Sequence, residues 1–481
     1  MPIRKAQITS FLASTSDAAE VIRKSVDKDE VIHVVSHLDA DGLSAAGIIG
    51  KSLYRLNGTF RIQIERWIDE RLVNEIANEQ PPLTIFTDLG SGYLDLLNEK
   101  LSDRRLLILD HHQPVGEASS TFTQVNPHLH GIDGSCDLSG AGVAYLVAKA
   151  IDRENVDLAP NAVVGALGDL QDKYAQRKLG GLNEVVVDDA VKAGDLELEI
   201  DLLLFGRETR PIHKALTYIT NPFIPGISGE EDRCYAFLND LGIKVKTKDE
   251  RWRTLKNLSE DEKKKLFSAL AEHLASKNFP NEVALGLIGN VYTLTREEPW
   301  TPLRNAREFT VLLNATGRLG KAGLGVAICI GDRGVALERA NNVLKDYRRT
   351  ITDCLSWLAK HPDRTEELSS IHVVRGGGPI NDKMIGALSS ILSTGSSSPE
   401  KPIIAYSKVT GEDMVKISAR TRPLLSAKSL DLGAALRIAA EKYSGRGGGH
   451  NVAAGAHVPV RNLESFIEYV NKLIKKQLDE T

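Results

Sequence analysis

Acidic and histidine side chains follow three short apolar runs near the start of the 481-residue sequence. The runs at 31–35, 83–87 and 106–109 are rich in Val, Ile and Leu, which predicts buried strands. The polar residues that follow them are His37, Asp39 and Asp41, then Asp88, then Asp110, His111 and His112. Because the carboxyl ends of parallel strands meet at one edge of a sheet, we expect these side chains to converge there.

These residue types are typical of a metal site. Carboxylate oxygens are the preferred ligands of Mg²⁺ and Mn²⁺, and an added imidazole favours Mn²⁺ or another transition metal. An aspartate at a strand end more often caps a turn, so the co-occurrence of several such clusters carries the hypothesis. Two ions that share one carboxylate would suit the displacement of a phosphoryl group. The candidate ligands are His37, Asp39, Asp41, Asp88, His111 and Asp169.

Three glycine-rich stretches lie in the last third of the chain, at 314–320, 375–378 and 445–450. Glycines allow backbone N–H groups to surround phosphate oxygens, and a neighbouring Arg or His donates charge-assisted hydrogen bonds. A flexible loop is the alternative interpretation of the last stretch. We expect the segment that follows it, 451–455, to start a packed helix.

The order of four motifs resembles the DHH phosphoesterase superfamily. The motifs are HLDADG from His37, TDLG from Thr87, LDHH from Leu109 and GALGD from Gly165. The sequence GGGHNVAAGA from Gly447, with the preceding segment 416–420, is similar to the phosphate-recognition motif of the C-terminal domain associated with this family. The stretches 207–229 and 313–320 look most like archaeal RecJ-like nucleases, including the one associated with the GINS replication complex.

The resemblance implies roles for individual residues. It makes His37, Asp39, Asp41, Asp88, His111 and Asp169 the ligands of two Mn²⁺ or Mg²⁺ ions, with Asp88 as the bridge. The implied catalytic residues are Asp39, Asp41, Asp88, His111, His112 and Asp169, and His112 would contact the scissile phosphate or support the ligands. The implied substrate-binding residues are Ser418, Arg420, Gly447, Gly448, Gly449 and His450, with Arg318 as a second phosphate clamp.

The alternation of strand-like and helix-like segments predicts an α/β protein. With the resemblance, we expect a DHH catalytic domain at 1–190, with a parallel sheet flanked by helices. A mainly helical connecting or inserted region would span 191–305. A C-terminal α/β DHH-associated substrate-binding domain would span 306–481, and the active site would lie in the cleft between the first and last domains.

The function that the resemblance implies is a metal-dependent exonuclease of DNA replication or repair. It would hydrolyse single-stranded nucleic acid to nucleoside monophosphates, and we favour 5′→3′ digestion of single-stranded DNA. Three alternatives stay open. They are a 3′→5′ exonuclease on RNA or DNA ends, a phosphodiesterase of short oligonucleotides or cyclic dinucleotides, and a replisome scaffold that binds GINS.

Composition excludes several other classes. The 60 Lys and Arg against 64 Asp and Glu give a net charge of −4, so nucleic acid must bind in a local groove rather than through a global cationic field. The four cysteines are far apart and form no CxxC pair, which predicts a reducing compartment. No apolar stretch approaches the roughly 18 residues of a membrane span, so we expect a cytoplasmic protein without a membrane partner.

Overall fold

The computed structural model describes residues 3–219, 222, 224–395, 401–421 and 430–479. The chain divides into two compact units. Unit 1 comprises Met1–Leu216 and Glu231–Leu344, and unit 2 comprises Thr217–Glu230 and Lys345–Thr481. These limits differ from the three domains expected from the sequence, and that three-part division stays a prediction.

A five-stranded parallel sheet with the strand order β2-β1-β3-β4-β5 forms the centre of unit 1. Its strands are β1 (Ile32–His37), β2 (Phe60–Glu65), β3 (Leu83–Thr87), β4 (Leu106–Leu109) and β5 (Phe122–Val125). The three apolar runs of the sequence are thus β1, β3 and β4. All residues of β3 and β4 are buried, as expected for a parallel sheet that helices cover on both faces.

The strand order reverses between β1 and β3. The chain leaves β1 for β2 on one side of the sheet and returns to β3 on the other side. In open α/β sheets, such a reversal opens a crevice at the carboxyl ends of the two strands, and ligands bind there. His37 ends β1 and Asp88 follows β3, so both lie at this position.

Thirteen α-helices precede residue 331 in the part of the chain that the structure describes. They are α1 (Lys5–Val26), α2 (Ala40–Arg55), α3 (Glu70–Glu79), α4 (Leu94–Leu101), α5 (Gly140–Ile151), α6 (Ala159–Gly168), α7 (Leu182–Lys192), α8 (Ile212–Thr217), α9 (Glu231–Asp240), α10 (Glu260–Ser276), α11 (Asn281–Leu285), α12 (Ala306–Arg318) and α13 (Ala322–Ile330). Two strands, β6 (Leu196–Leu202) and β7 (Ile288–Leu294), form a separate antiparallel pair that the sequence analysis did not anticipate. None of the described helices is both long enough and apolar enough to cross a membrane.

Helix α12 packs against the loop that follows β1. The N–H of Ala40 donates a 3.1 Å hydrogen bond to Asn314 Oδ1, and Thr310 Oγ1 donates to the carbonyl of Val164 in α6. A Cβ atom at Gly317 would overlap the carbonyl oxygen of Leu38, so only glycine permits this approach. Most of the glycine-rich stretch 314–320 belongs to α12, which ends at Arg318. Gly317 therefore serves the packing of this helix within unit 1.

A six-stranded mixed sheet with the order β12-β13-β11-β10-β9-β8 forms unit 2. Its strands are β8 (Thr365–Glu367), β9 (His372–Arg375), β10 (Ile403–Lys408), β11 (Met414–Arg420), β12 (Arg446–Gly449) and β13 (Ala453–Pro459). The helices after residue 331 are α14 (Val335–Lys360), α15 (Ile385–Gly395), α16 (Leu432–Lys442) and α17 (Leu463–Asp479). The helix expected at 451–455 was wrong, because β13 begins at Ala453 and pairs with β11.

Replacing Gly317 with alanine should destabilise the protein by about 1–3 kcal/mol, since the added Cβ would force α12 away from Leu38. Urea unfolding measures this change. Gly323→Ala in α13 is the matched control, because nothing lies within 4 Å of its added Cβ and alanine favours a helix by roughly 0.5–1 kcal/mol. Equal unfolding midpoints for the two variants would contradict the close packing of α12.

Candidate metal centre

Eight side chains form one cluster at the carboxyl edge of the parallel sheet. Three groups have ligand atoms within 4.8 Å of one another: His37, Asp39 and Asp88; Asp41, His111 and Asp169; and Asp88, Asp110, His111 and His112. Asp88 and His111 each belong to two groups, so the three groups are continuous. We call these eight residues the metal cluster. It contains all six side chains that the sequence proposed as ligands, and their role as ligands stays a prediction.

The end of β1 supplies His37 and Asp39. His37 Nδ1 lies 3.0 Å from Asp39 Oδ2 and 3.4 Å from Asp88 Oδ2. Asp39 is also the N-cap of α2, because its Oδ1 accepts a 3.1 Å hydrogen bond from the N–H of Gly42. One oxygen of Asp39 thus caps the helix and the other faces the cluster. Burial opposes the charge on His37, but Asp39 and Asp88 outweigh it and raise the pKa of this imidazole.

Asp41 lies in the first turn of α2 and is buried. Its two carboxylate oxygens accept hydrogen bonds from the N–H groups of Gly140, at 2.7 Å, and Ala141, at 3.0 Å. These amides belong to the N-terminus of α5, where the helix dipole favours negative charge. Burial and the neighbouring Asp88 nevertheless raise the pKa of Asp41 well above its usual range.

Asp88 occupies the centre of the cluster. Its Oδ1 is buried and accepts no hydrogen bond from the part of the chain that the structure describes. His111 Nε2 lies 3.2 Å from this oxygen. A Cβ at Gly140 would lie 2.6 Å from the same oxygen, so glycine at this position leaves the space around Oδ1 open. A buried carboxylate oxygen without a donor costs free energy, and a bound cation would offset that cost.

The orientation of the His111 ring supports metal binding. His111 Nδ1 lies 2.7 Å from the carbonyl oxygen of Gly134, and a carbonyl can only accept. Nδ1 therefore carries a proton, and in the neutral ring the lone pair of Nε2 would face Asp88. Burial opposes a second proton, but Asp169, Asp88 and Asp41 raise the pKa of His111. A divalent cation would take the place of that proton, and the oxygen and nitrogen donors suit Mn²⁺ or Mg²⁺.

Asp110 is a buried residue that the sequence analysis quoted in a motif but gave no role. Its Oδ1 accepts hydrogen bonds from the N–H of His111 and from His112 Nδ1, both at 2.8 Å, and its Oδ2 accepts from the N–H of Ser91. Although burial acts the other way, the two histidines hold the pKa of Asp110 well below its usual range. Asp110 therefore fixes the ring of His112.

Gln171 is a second residue that the sequence analysis missed. Its buried amide nitrogen donates to Asp169 Oδ2 at 2.8 Å and to the carbonyl of Gly134 at 2.9 Å. Its Oε1 accepts from Asn183 Nδ2 at 2.7 Å. Gln171 thus holds both Asp169 and the carbonyl that orients His111. The sequence pointed to Gln171 only through its position two residues after Asp169. A glutamine at that spacing does not by itself indicate a residue that positions metal ligands.

Arg318 is the last residue of α12 and belongs to unit 1. The same helix contacts the loop that follows β1. Asn314 accepts a hydrogen bond there from the N–H of Ala40, which lies between Asp39 and Asp41. Asn314 is therefore a further positioning residue that the sequence did not reveal. The role of Arg318 as a phosphate clamp stays a prediction.

The other proposed substrate-binding residues lie in unit 2, on and beside one face of its sheet. Lys416, Ser418 and Arg420 alternate along β11 and share this face. Ile417 and Ala419 point the opposite way and pack in the core of unit 2. We call the side with Lys416, Ser418 and Arg420 the polar face.

Helix α15 contacts the polar face. Ser418 Oγ and Ser389 Oγ form a buried 2.9 Å hydrogen bond, and Arg420 Nε donates to Ser390 Oγ at 3.0 Å. These contacts fix both β11 side chains. They also engage Ser418 internally, a structural role that the sequence did not indicate.

The glycines of β12 differ in what surrounds them. A Cβ at Gly447 would lie 2.7 Å from the backbone of α16, and the carbonyl of Gly449 also faces that helix. Nothing described lies within 4 Å of a Cβ at Gly448, which the strand register places level with Ser418 across β13. His450 follows in the turn to β13. Gly448 is thus the glycine of the three with open space for a ligand.

Comparison with known proteins identifies relatives over nearly the whole chain. The model described as the DHH family N-terminal domain matches residues 31–167, the DHH-CID domain matches 204–288, and the DHHA1 domain matches 374–476. The uncharacterized protein MJ0831 of Methanocaldococcus jannaschii is 32% identical over 453 residues, which cover 93% of this chain and 94% of that protein. The single-stranded-DNA-specific exonuclease RecJ of Bacillus subtilis is 24% identical over 176 residues, which cover 34% of this chain and 22% of that protein.

Solved structures share the fold. RecJ of Thermus thermophilus in complex with Mn²⁺ has a TM-score of 0.56 at 19% identity, and the match covers 96% of this chain and 55% of that chain. CDC45 of Entamoeba histolytica has a TM-score of 0.64 at 11% identity and covers 96% and 99% of the two chains. At these identities the likeness concerns the fold alone.

Gln171→Met should lower the affinity for Mn²⁺ about 10–100-fold, because Asp169 and the Gly134 carbonyl lose the amide that holds them. Calorimetric titration with the metal alone measures this change. Gln63→Met is the matched control, since the amide of Gln63 contacts Glu65 and Glu75 instead. An unchanged affinity in Gln171→Met would show that Gln171 does not position the ligands.

Proposed function

Since this chain belongs to the DHH phosphoesterase superfamily as a RecJ-like member, we propose that it is a metal-dependent exonuclease of single-stranded nucleic acid. It would release nucleoside monophosphates. The observation that carries the proposal is the buried Asp88 Oδ1, which has no hydrogen-bond partner among the described residues and lies 3.2 Å from His111 Nε2 in a cluster of aspartate and histidine side chains. Divalent cations compensate such a site, and phosphodiester hydrolysis is chemistry that paired cations support.

The ligands we propose for two Mn²⁺ or Mg²⁺ ions are His37, Asp39, Asp41, Asp88, His111 and Asp169, with Asp88 shared. When bound, such ions act as Lewis acids on a phosphoryl oxygen and lower the pKa of water. His112 would contact the scissile phosphate, because Asp110 fixes its Nδ1 and its side chain is 38% exposed. The Asp110 carboxylate thereby sets the direction in which His112 Nε2 donates.

We propose that the polar face of unit 2 binds the phosphates of the chain end. Arg420 supplies a guanidinium held by Ser390, and Gly448 and His450, which pair with β13 opposite β11, would supply backbone and imidazole groups. The Bacillus subtilis relative is a single-stranded-DNA-specific exonuclease, which supports single-stranded DNA as the substrate, and we favour 5′→3′ digestion. A role in replication or repair, with GINS as a partner, is part of the same proposal, and the fold shared with CDC45 is consistent with it.

A scaffold without activity is the second candidate, because the match to CDC45 has the higher TM-score of the two structural comparisons. The complete metal cluster favours the enzyme. A scaffold gains nothing from several aspartates buried against one another, since their repulsion costs stability.

Asp88→Ala should reduce hydrolysis on the order of 10³-fold or more, because the proposed shared ligand is lost. The assay is Mn²⁺-dependent digestion of single-stranded DNA and RNA labelled separately at the 5′ and 3′ ends. Asp103→Ala is the control, since the Asp103 side chain is 72% exposed outside the cluster. Full activity in Asp88→Ala would disprove the metal assignment. Early release of a mononucleotide from the 5′ label would support 5′→3′ digestion. Early release from the 3′ label would indicate 3′→5′ digestion instead.

Arg420→Gln should weaken binding of single-stranded DNA and reduce the salt dependence of the binding constant. Each phosphate contact contributes about 0.7 to the slope of log K against log salt for a single strand. Fluorescence anisotropy at several salt concentrations measures the slope. Lys408→Gln, an exposed position on β10, is the control and should leave the slope as it is. An unaltered slope of log K against log salt in Arg420→Gln would show that Arg420 does not contact a phosphate.

A further inference from the structure

Helix α6 ends in a hydrogen-bonded motif that normally requires glycine. The N–H of Leu170 donates to the carbonyl of Leu167 at 3.2 Å, and the N–H of Gln171 donates to that of Ala166 at 3.0 Å. This pair of bonds is the Schellman motif, in which the residue after the C-cap adopts the left-handed conformation. Asp169 is the C-cap and Leu170 takes the left-handed position, with φ of 55°.

Leucine at this position costs stability. A bulky residue in the left-handed region is strained by about 1–2 kcal/mol, whereas glycine is not. Packing does not offset the strain, because Leu170 is 60% exposed. Most other left-handed non-glycine residues described are polar ones such as Asn and Asp, which tolerate this conformation; Trp300 is the other apolar one. Strain of this kind concentrates at functional sites.

Leu170 lies between two residues of the candidate site. Asp169 before it is a proposed metal ligand whose side chain is 23% exposed, and Gln171 after it is fully buried. The buried Asp172 forms ion pairs with Arg177 Nε at 2.8 Å and with Arg307 Nη1 at 2.5 Å. The backbone on both sides is therefore fixed, and the exposed leucine follows directly after Asp169 of the metal cluster.

We propose that Leu170 contacts the base of the nucleotide whose phosphate the metal cluster holds. This inference rests on the proposed nuclease function. It concerns recognition of the base, which metal ions bound to the phosphate do not contact. Leucine side chains wedge against base faces in other nucleic-acid complexes. A terminal base can unstack in a single strand and expose both of its faces, whereas in a duplex it stays paired and stacked on its inner face. A contact to an unstacked base, from a residue whose backbone is held in place, favours single-stranded ends.

The test compares oligonucleotides with ordinary bases and with abasic nucleotides at both termini. Leu170→Gly should raise KM for the ordinary single strand about tenfold or more, as expected for a lost apolar contact. It should leave hydrolysis of the abasic oligonucleotide equal to that of the wild-type protein. Leu170→Met, which keeps an apolar side chain of similar size, should restore the ordinary KM. Leu285→Ala is the matched control, because this leucine of α11 is 65% exposed.

Two readouts do not depend on turnover. The Tm of Leu170→Gly should equal or exceed that of the wild-type protein, since glycine relieves the left-handed strain. In the Asp88→Ala background, Leu170→Gly should weaken binding of the ordinary oligonucleotide and not of the abasic one, as measured by fluorescence anisotropy.

Each other outcome overturns the base contact alone or both proposals together. If Leu170→Gly cleaves and binds the ordinary oligonucleotide as the wild-type protein does, the base contact is wrong and the nuclease function stands. The same conclusion follows if Leu170→Gly loses activity and affinity equally on the ordinary and the abasic oligonucleotide. If the wild-type protein cleaves neither oligonucleotide, the proposed function fails and the base contact fails with it.

Discussion

Like-charge repulsion among buried carboxylates is the constraint around which unit 1 is arranged. Asp41 is held by the amides of α5, Asp110 by backbone and imidazole N–H groups, and Asp169 by the amide of Gln171. Asp39 is held by the N-cap bond of α2. Asp88 Oδ1 receives no comparable donor from the described residues. The protein therefore stabilises most of the cluster with its own dipoles and leaves the central oxygen without a donor, so the proposed cation would couple metal binding to the stability of the site.

The fold brings these groups together by reversing the strand order between β1 and β3 and by close packing at glycines. Gly165 in α6 is one example, because a Cβ there would lie 2.5 Å from Asp41 Oδ1. Gly317 allows α12 to contact the loop before α2, and Asn314 of that helix fixes the loop's backbone. Glycine in this protein thus has two separate uses. In unit 1 it allows helices to approach the metal cluster, whereas Gly448 in unit 2 leaves space open.

The sequence predicted the strands and their convergence because both follow from local patterns. The apolar runs of β1, β3 and β4 read as buried strands, and parallel strands place the residues after them at one edge. Roles that depend on distant partners could not be read in this way. Gln171 acts through the carbonyl of Gly134, and Asp110 acts through the ring of His112. The strand at 453–459 was missed because its small residues, such as Ala453 and Gly455, hide the alternation of a strand.

The central claim is that the metal cluster binds two divalent ions that share Asp88. The most direct measurement is a crystal structure of the protein grown with Mn²⁺, with anomalous scattering recorded near the manganese absorption edge. Two bound ions should give two anomalous peaks about 3.5–4 Å apart among the residues of the metal cluster. Full-occupancy protein density without an anomalous peak among these eight residues would contradict the central claim.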